Sequence, residues 1–172
     1  MSDELIRVPA GLTADGLLGR RYLARFIDTF VITLLAAVPV GVLGAALEPR
    51  LAGGPIGSLL ALPLVLVVWI GYGALTESSR WQATLGKRVM GLRVYNSQAG
   101  ALNLLQAGLR NLLKDGPFLA LGFIPGGQFL ILAWLIAHLV VIHRSSVNQA
   151  IHDRVAHSWV AAPEQTTQLR LT

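Results

Sequence analysis

The chain has 172 residues, 53% hydrophobic and 13% charged, with 18 glycines, 8 prolines, no cysteine and a formal net charge of +5. A soluble domain carries about 25% charged residues and a disordered chain has low hydrophobicity, so disorder is excluded; the missing cysteine excludes disulfides, thiol catalysis and cysteine-ligated zinc or iron–sulfur centres. A pI of 10.4 invites a nucleic-acid partner, but the mean hydropathy is +0.59 and the basic residues stand between long apolar runs, so none is expected.

Residues 29–47 form a 19-residue stretch without a charge, and residues 51–76 form one of 26. Residues 116–142 form a third, of 27, whose only titratable side chain is His138. A helix rises about 1.5 Å per residue, so about 20 residues cross a hydrocarbon core of about 30 Å, and every run is long enough. The first is too long for the apolar part of a signal peptide and follows 28 residues of polar and basic sequence. The pattern predicts an all-α integral membrane protein.

Arg7, Arg20, Arg21 and Arg25 precede the first run, and only Arg50 lies in the link of residues 48–58. Arg80, Lys87, Arg88, Arg93, Arg110 and Lys114 fall between the second run and the third. Basic residues stay on the cytoplasmic side. The N-terminus and the middle segment are therefore expected in the cytoplasm, the 48–58 link outside, and the chain as a multi-pass protein of the cell inner membrane.

Leucines at 102, 104, 105, 109, 112 and 113, with Arg110 and Lys114 on another face, predict an amphipathic helix. It either lies on the cytoplasmic surface, giving three crossings, or continues through residues 118–124 as a fourth. Pro125 suits the start of a last crossing over residues 125–143. Four crossings would leave only Arg50 outside, so the charge pattern favours a helical bundle of four over three. Residues 90–95 and 158–161 read as strands beside turn formers. A small two-stranded pairing between them also needs an even number of crossings. Residues 1–162 then make one membrane domain and 163–172 a flexible tail.

Arg21 and Asp28 are seven residues apart, nearly on one helix face, with Arg25 at i−3 from Asp28. An ionised carboxylate at the centre of a membrane costs about 2.5–3.5 kcal/mol and persists if paired or facing a wet cavity. Asp28 is therefore expected in a network with at least one of the two arginines. Such a network either anchors the helix end or forms a site for a cation, a proton or a polar ligand. Ala37, Gly41 and Ala45, spaced by four, form a small-residue stripe that lets another helix pack closely, in a homo-oligomer for example.

Thr84-Leu85-Gly86-Lys87 is no phosphate loop, because Trp81 stands where the earlier glycine is needed and Arg88 where Ser or Thr is. His138, His143, His152 and His157 form no i, i+4 pair, so neither metal, cofactor nor catalysis is expected. His152-Asp153-Arg154 follows the last apolar run. It reads either as a helix cap or as a polar plug folded back toward Arg21 and Asp28.

Three segments together resemble the RDD family of bacterial membrane proteins. They are Gly19-Arg20-Arg21-Tyr22-Leu23-Ala24-Arg25-Phe26-Ile27-Asp28, residues 84–94 from Thr84-Leu85-Gly86-Lys87 onward, and residues 148–156 around His152-Asp153. The resemblance covers residues 17–162, and the Arg and two Asp that name the family fall on Arg21, Asp28 and Asp153. Arg25 stands where the family often has an apolar residue, and His157-Ser158 where Gly-Thr is more usual. The resemblance implies a poorly defined function, with transport of an unidentified ion or small solute, including cation/proton exchange, as the suggestion. Arg21, Asp28 and Asp153 would form the site, with Arg25, Lys87 and His152 supporting it. A non-transporting scaffold that binds anionic lipid or a partner protein is the other reading.

Overall fold

The computed structural model describes residues 8–47, 49–122 and 124–163. In chain order these form β1 (Leu12–Thr13), α1 (Leu18–Ala46), α2 (Pro49–Ala52), α3 (Pro55–Ser78), α4 (Leu85–Val89) and β2 (Arg93–Asn96). They continue as α5 (Leu104–Leu121), α6 (Gly127–Arg144), α7 (Ile151–Val155) and β3 (Ser158–Pro163). The flexible tail expected beyond residue 162 lies outside the described residues, apart from Pro163, which ends β3.

α1, α3 and α6 are long and apolar enough to cross a membrane, by length and composition. Their outer faces expose Phe26, Phe30 and Val38 on α1, Val67 on α3 and Phe129 on α6. Apolar surface on this scale requires a cover, and hydrocarbon provides one that asks nothing of backbone groups already bonded inside a helix. Local chemistry sets the boundaries. Pro55 opens α3, where its missing N–H has no intrahelical partner to lose. Asn103 and Gln106 cap α5 reciprocally. Gly126, at φ 79°, supplies the left-handed turn into α6.

The sheet has strand order β1-β3-β2, antiparallel throughout, with Val94 opposite Val160 and Tyr95 opposite Trp159. The expected two-stranded pairing is thus a three-stranded sheet. β2 starts at Arg93 rather than Met90 because Gly91 adopts a left-handed φ of 65°. β1, two residues long, is too short to leave a periodic signal. Leu92, Val94 and Val160 of the sheet region pack with Leu17, Ala24, Ala74 and Ala107 in a small core.

Because β1 precedes α1, β2 follows α3 and β3 follows α6, their pairing returns the chain to one end of the bundle after each helical hairpin. α1 with α3 is the first hairpin and α5 with α6 the second; of these four helices α1, α3 and α6 are the candidate membrane spans. At 18 residues, α5 is about 27 Å long.

The amphipathic helix expected over residues 102–113 is turned the opposite way from a surface helix. Its polar residues Arg110, Asn111 and Asp115 are buried, whereas Leu104, Leu109 and Leu112 are exposed and Leu105 is 82% exposed. The polar stripe packs against α3, where Gly73 has no side chain and Asn111 occupies the space a Cβ would need. On α1 the buried positions are Ala24, Asp28, Ile32 and Ala36. Ala37, Gly41 and Ala45 are exposed, so the small-residue stripe packs no helix among the described residues.

Candidate functional site

The ends of α1, α3 and α5 nearest the sheet, together with α4 and α7, converge on a buried ion network. At its centre Arg110 of α5 has its Nη1 2.6 Å from Oε2 of Glu77 and its Nη2 2.6 Å from Oδ1 of Asp153. Its Nε donates to the same Asp153 oxygen at 2.9 Å. Asn111 donates to Glu77 at 3.0 Å, and Lys87 of α4 pairs with the other oxygen of that carboxylate. Asp153 is also 2.6 Å from Nη2 of Arg21 and accepts the Ala150 backbone N–H at 3.1 Å, which caps α7. Arg21 in turn donates to the Asn148 carbonyl. The segment of residues 148–153 therefore folds back onto α1, and His152-Asp153 is a plug in the bundle rather than a surface cap.

Asp28 departs from expectation. It makes no ion pair among the described residues. Its carboxylate instead accepts from the Thr84 hydroxyl at 2.5 Å, the Gly86 N–H at 2.8 Å and the Tyr72 hydroxyl at 3.2 Å. Arg25 pairs with Asp115 on α5, not with its own helix neighbour. The reason is α4. Gly86 sits against α1 so closely that a Cβ there would overlap the Ala24 carbonyl and lie 2.9 Å from Asp28 Cγ. The Gly-Lys pair is thus a close backbone approach that aims an amide at Asp28, with Lys87 turned to Glu77.

Charge sets the protonation states outside the membrane helices. Burial pushes the Asp153 carboxyl up, but the Arg110 and Arg21 charges and the hydrogen bond from His152 outweigh it and hold it well below 3.8. Burial pulls the Lys87 amine down to about 8 against the opposing pull of Glu77. Burial also pulls the His152 imidazole down to about 3, more than Asp153 can restore, so His152 is neutral. Its Nε2 lies 3.3 Å from Asp153 and its Nδ1 2.7 Å from His138 Nε2. This fits a chain in which His138 donates to His152 and His152 to Asp153. Among the described residues no three His, Asp or Glu side chains are grouped to hold a metal ion.

The His152 shift has a measurable consequence. The unfolded chain takes up a proton below 6.5, whereas the folded one does so only near 3. Stability is therefore lost as pH falls from 6.5, by about 2 kcal/mol at pH 5. The melting temperature in detergent should drop between pH 7 and 5, and His152→Gln should flatten that drop. Equal slopes in the two proteins would show that His152 is not buried neutral.

Beside the network lies a cavity of about 250 Å³. Arg21, Arg25, Lys87, Arg110 and Lys114 line it, with Asp28 as its one carboxylate among the described residues, and Phe118, Leu135 and Ile142 form apolar wall. The positions that name the motif meet here in part: Arg21 and Asp153 bond to each other, and Asp28 reaches the same cavity through α4. Glu77, Arg110, Asn111, Lys114 and Asp115 belong to the network and were not picked out as site residues. Glu77 directly follows an apolar run and resembles an end-of-helix charge. Arg110 and Lys114 resembled a solvated face, and only the charge at positions 110, 114 and 115 of a leucine-rich helix hinted otherwise.

A helical bundle with apolar outer faces, closed at one end by a sheet and a buried ion network, defines an integral membrane protein. The family model described as RDD family matches residues 16–157, and the chain belongs to that family. No curated protein and no solved structure matches the chain.

Proposed function

We propose that this RDD protein is a non-catalytic transport protein of the cell inner membrane, carrying an ion or small polar solute through the cavity beside the ion network. The supporting observation is Asp28. Among the described residues it is the one carboxylate lining the cavity and the only member of the cluster held by neutral donors alone. A carboxylate that faces a cavity without a direct ion pair is a group that a transport cycle can use. Arg21 and Asp153, with Lys87 and His152, hold the surrounding segments; a homo-oligomer packed through Ala37, Gly41 and Ala45 would add walls to a path that one chain's helices enclose only partly. Purified protein in liposomes with a sodium or potassium gradient and an internal pH dye tests this. Traces identical to those of empty liposomes for both ions would overturn cation/proton exchange.

The scaffold reading has an observation of its own. Arg80, Arg88 and Arg93 line a surface hollow of about 590 Å³ near the sheet, with Arg88 stacked over Trp81. Each such residue near an anionic membrane adds about 1 kcal/mol of attraction. Binding to anionic vesicles that is lost on replacing these three arginines, without any solute flux, would favour it.

Both readings set the sheet end in the cytoplasm, by the basic-residue asymmetry. A cytoplasm-active reporter fused after Thr172 should be active, and one inserted in residues 48–58 inactive. An external signal from the C-terminal fusion would contradict the even number of passages.

A further inference from the structure

Within the cluster, charges do not cancel. Arg21, Arg25, Lys87, Arg110 and Lys114 are positive, and Asp28, Glu77, Asp115 and Asp153 negative, which leaves one positive charge unmatched among the described residues. The cavity sees more of the imbalance, since five cations and one carboxylate line it. Glu77 and Asp153 are spent on Arg110, Lys87 and Arg21 behind the wall. Arg25 is the least satisfied. One nitrogen pairs with one Asp115 oxygen, Nη1 and the second Asp115 oxygen are buried without a hydrogen bond, and 36% of the Arg25 side chain stays accessible. An anion seated in the cavity would offset the charge excess that these cations leave uncompensated.

We infer that the cavity is a binding site for a phosphate-type oxyanion, held by Arg25 and Lys114 with Arg21 at its edge, either as free phosphate or as the headgroup of an anionic lipid. Arg25 lines the cavity with 36% of its side chain accessible, and Lys114 supplies a point charge already held by Asn111 at 2.6 Å and Asp115 at 3.3 Å. Phe118, Leu135, Leu139 and Ile142 on the same wall accommodate hydrocarbon if the anion belongs to a lipid. The site rests on the transport reading only in taking the cavity as the place where a ligand sits.

Tryptophan fluorescence reads the site directly, because Trp69 lies 5.7 Å from the Arg25 guanidinium. The full chain in dodecyl maltoside is titrated with inorganic phosphate, with dihexanoyl phosphatidylglycerol, and with dihexanoyl phosphatidylcholine as the zwitterionic control. Saturation by one of the two anions and not by the control is expected, and the tighter anion identifies the source. Arg25→Gln should weaken it about tenfold or more. Arg88→Gln, outside the cavity, should leave it unchanged. If Arg25→Gln does not fold, Lys114→Gln removes the second cation and Leu135→Trp fills the cavity with every charge retained; both should weaken binding. Absence of saturation by either anion, or affinities untouched by these cavity variants, overturns the site. Saturable binding without flux removes transport and leaves the site standing, and flux without anion binding does the reverse.

Discussion

Arg110→Met should be the most damaging single substitution in this protein. Its guanidinium is the only group among the described residues that touches both Glu77 and Asp153, and all three side chains are fully buried. Methionine fills much of the volume but leaves Asp153 to Arg21 and His152, and Glu77 to Lys87 and Asn111. Breaking a buried pair by removing one partner costs about 3–5 kcal/mol, and here one residue partners two carboxylates. That is a large share of the roughly 5–15 kcal/mol that holds a domain folded. The expected result is little monodisperse protein in detergent and a melting temperature far below wild type. Arg110→Lys should lose less, because charge survives while the two-sided fork does not. A wild-type melting curve for Arg110→Met would mean that α3, α5 and α7 are not joined through this side chain.

The membrane helices were legible because apolar length is a one-dimensional property: residues 51–76 and 125–143 correspond to α3 and α6 within a few residues, and residues 29–47 to α1 without its charged start from Leu18 to Asp28. Lysine and arginine placement favours an even number of crossings, whereas three helices, α1, α3 and α6, are long and apolar enough to span among the described residues. Helix facing was not legible. Leu105 and Arg110 give the same amphipathic pattern whether the leucines meet lipid or a protein core, and only the partner helix decides. Gly73 was the unread clue, since a glycine opposite Asn111 marks where α5 enters. Arg25 misled for a related reason: spacing along one helix suggested Asp28, whereas Asp115 lies 90 positions away in sequence. Sequence distance likewise hid Glu77, which joins Lys87 locally but Arg110 and Asp153 only through the fold.

Asp28→Asn should separate folding from activity, which Asp28→Ala cannot do. Alanine removes the acceptor for the Thr84 hydroxyl, the Gly86 N–H and the Tyr72 hydroxyl together. Each unsatisfied buried donor costs about 1–3 kcal/mol, and α4 would lose its hold on α1. Asparagine keeps one oxygen for Gly86 and Tyr72, while its amide donates to a Thr84 hydroxyl turned the other way. The variant should therefore melt within about 1 kcal/mol of wild type. It no longer ionises, so proton-coupled flux in liposomes should fall to background while the protein stays folded. Its effect on the anion runs in the opposite direction. Removing the one carboxylate that lines the cavity leaves it more positive, so phosphate or phosphatidylglycerol should bind Asp28→Asn more tightly than wild type, where Arg25→Gln binds them more weakly. A well-folded Asp28→Asn with undiminished flux would show that Asp28 joins α1 to α4 and carries no proton.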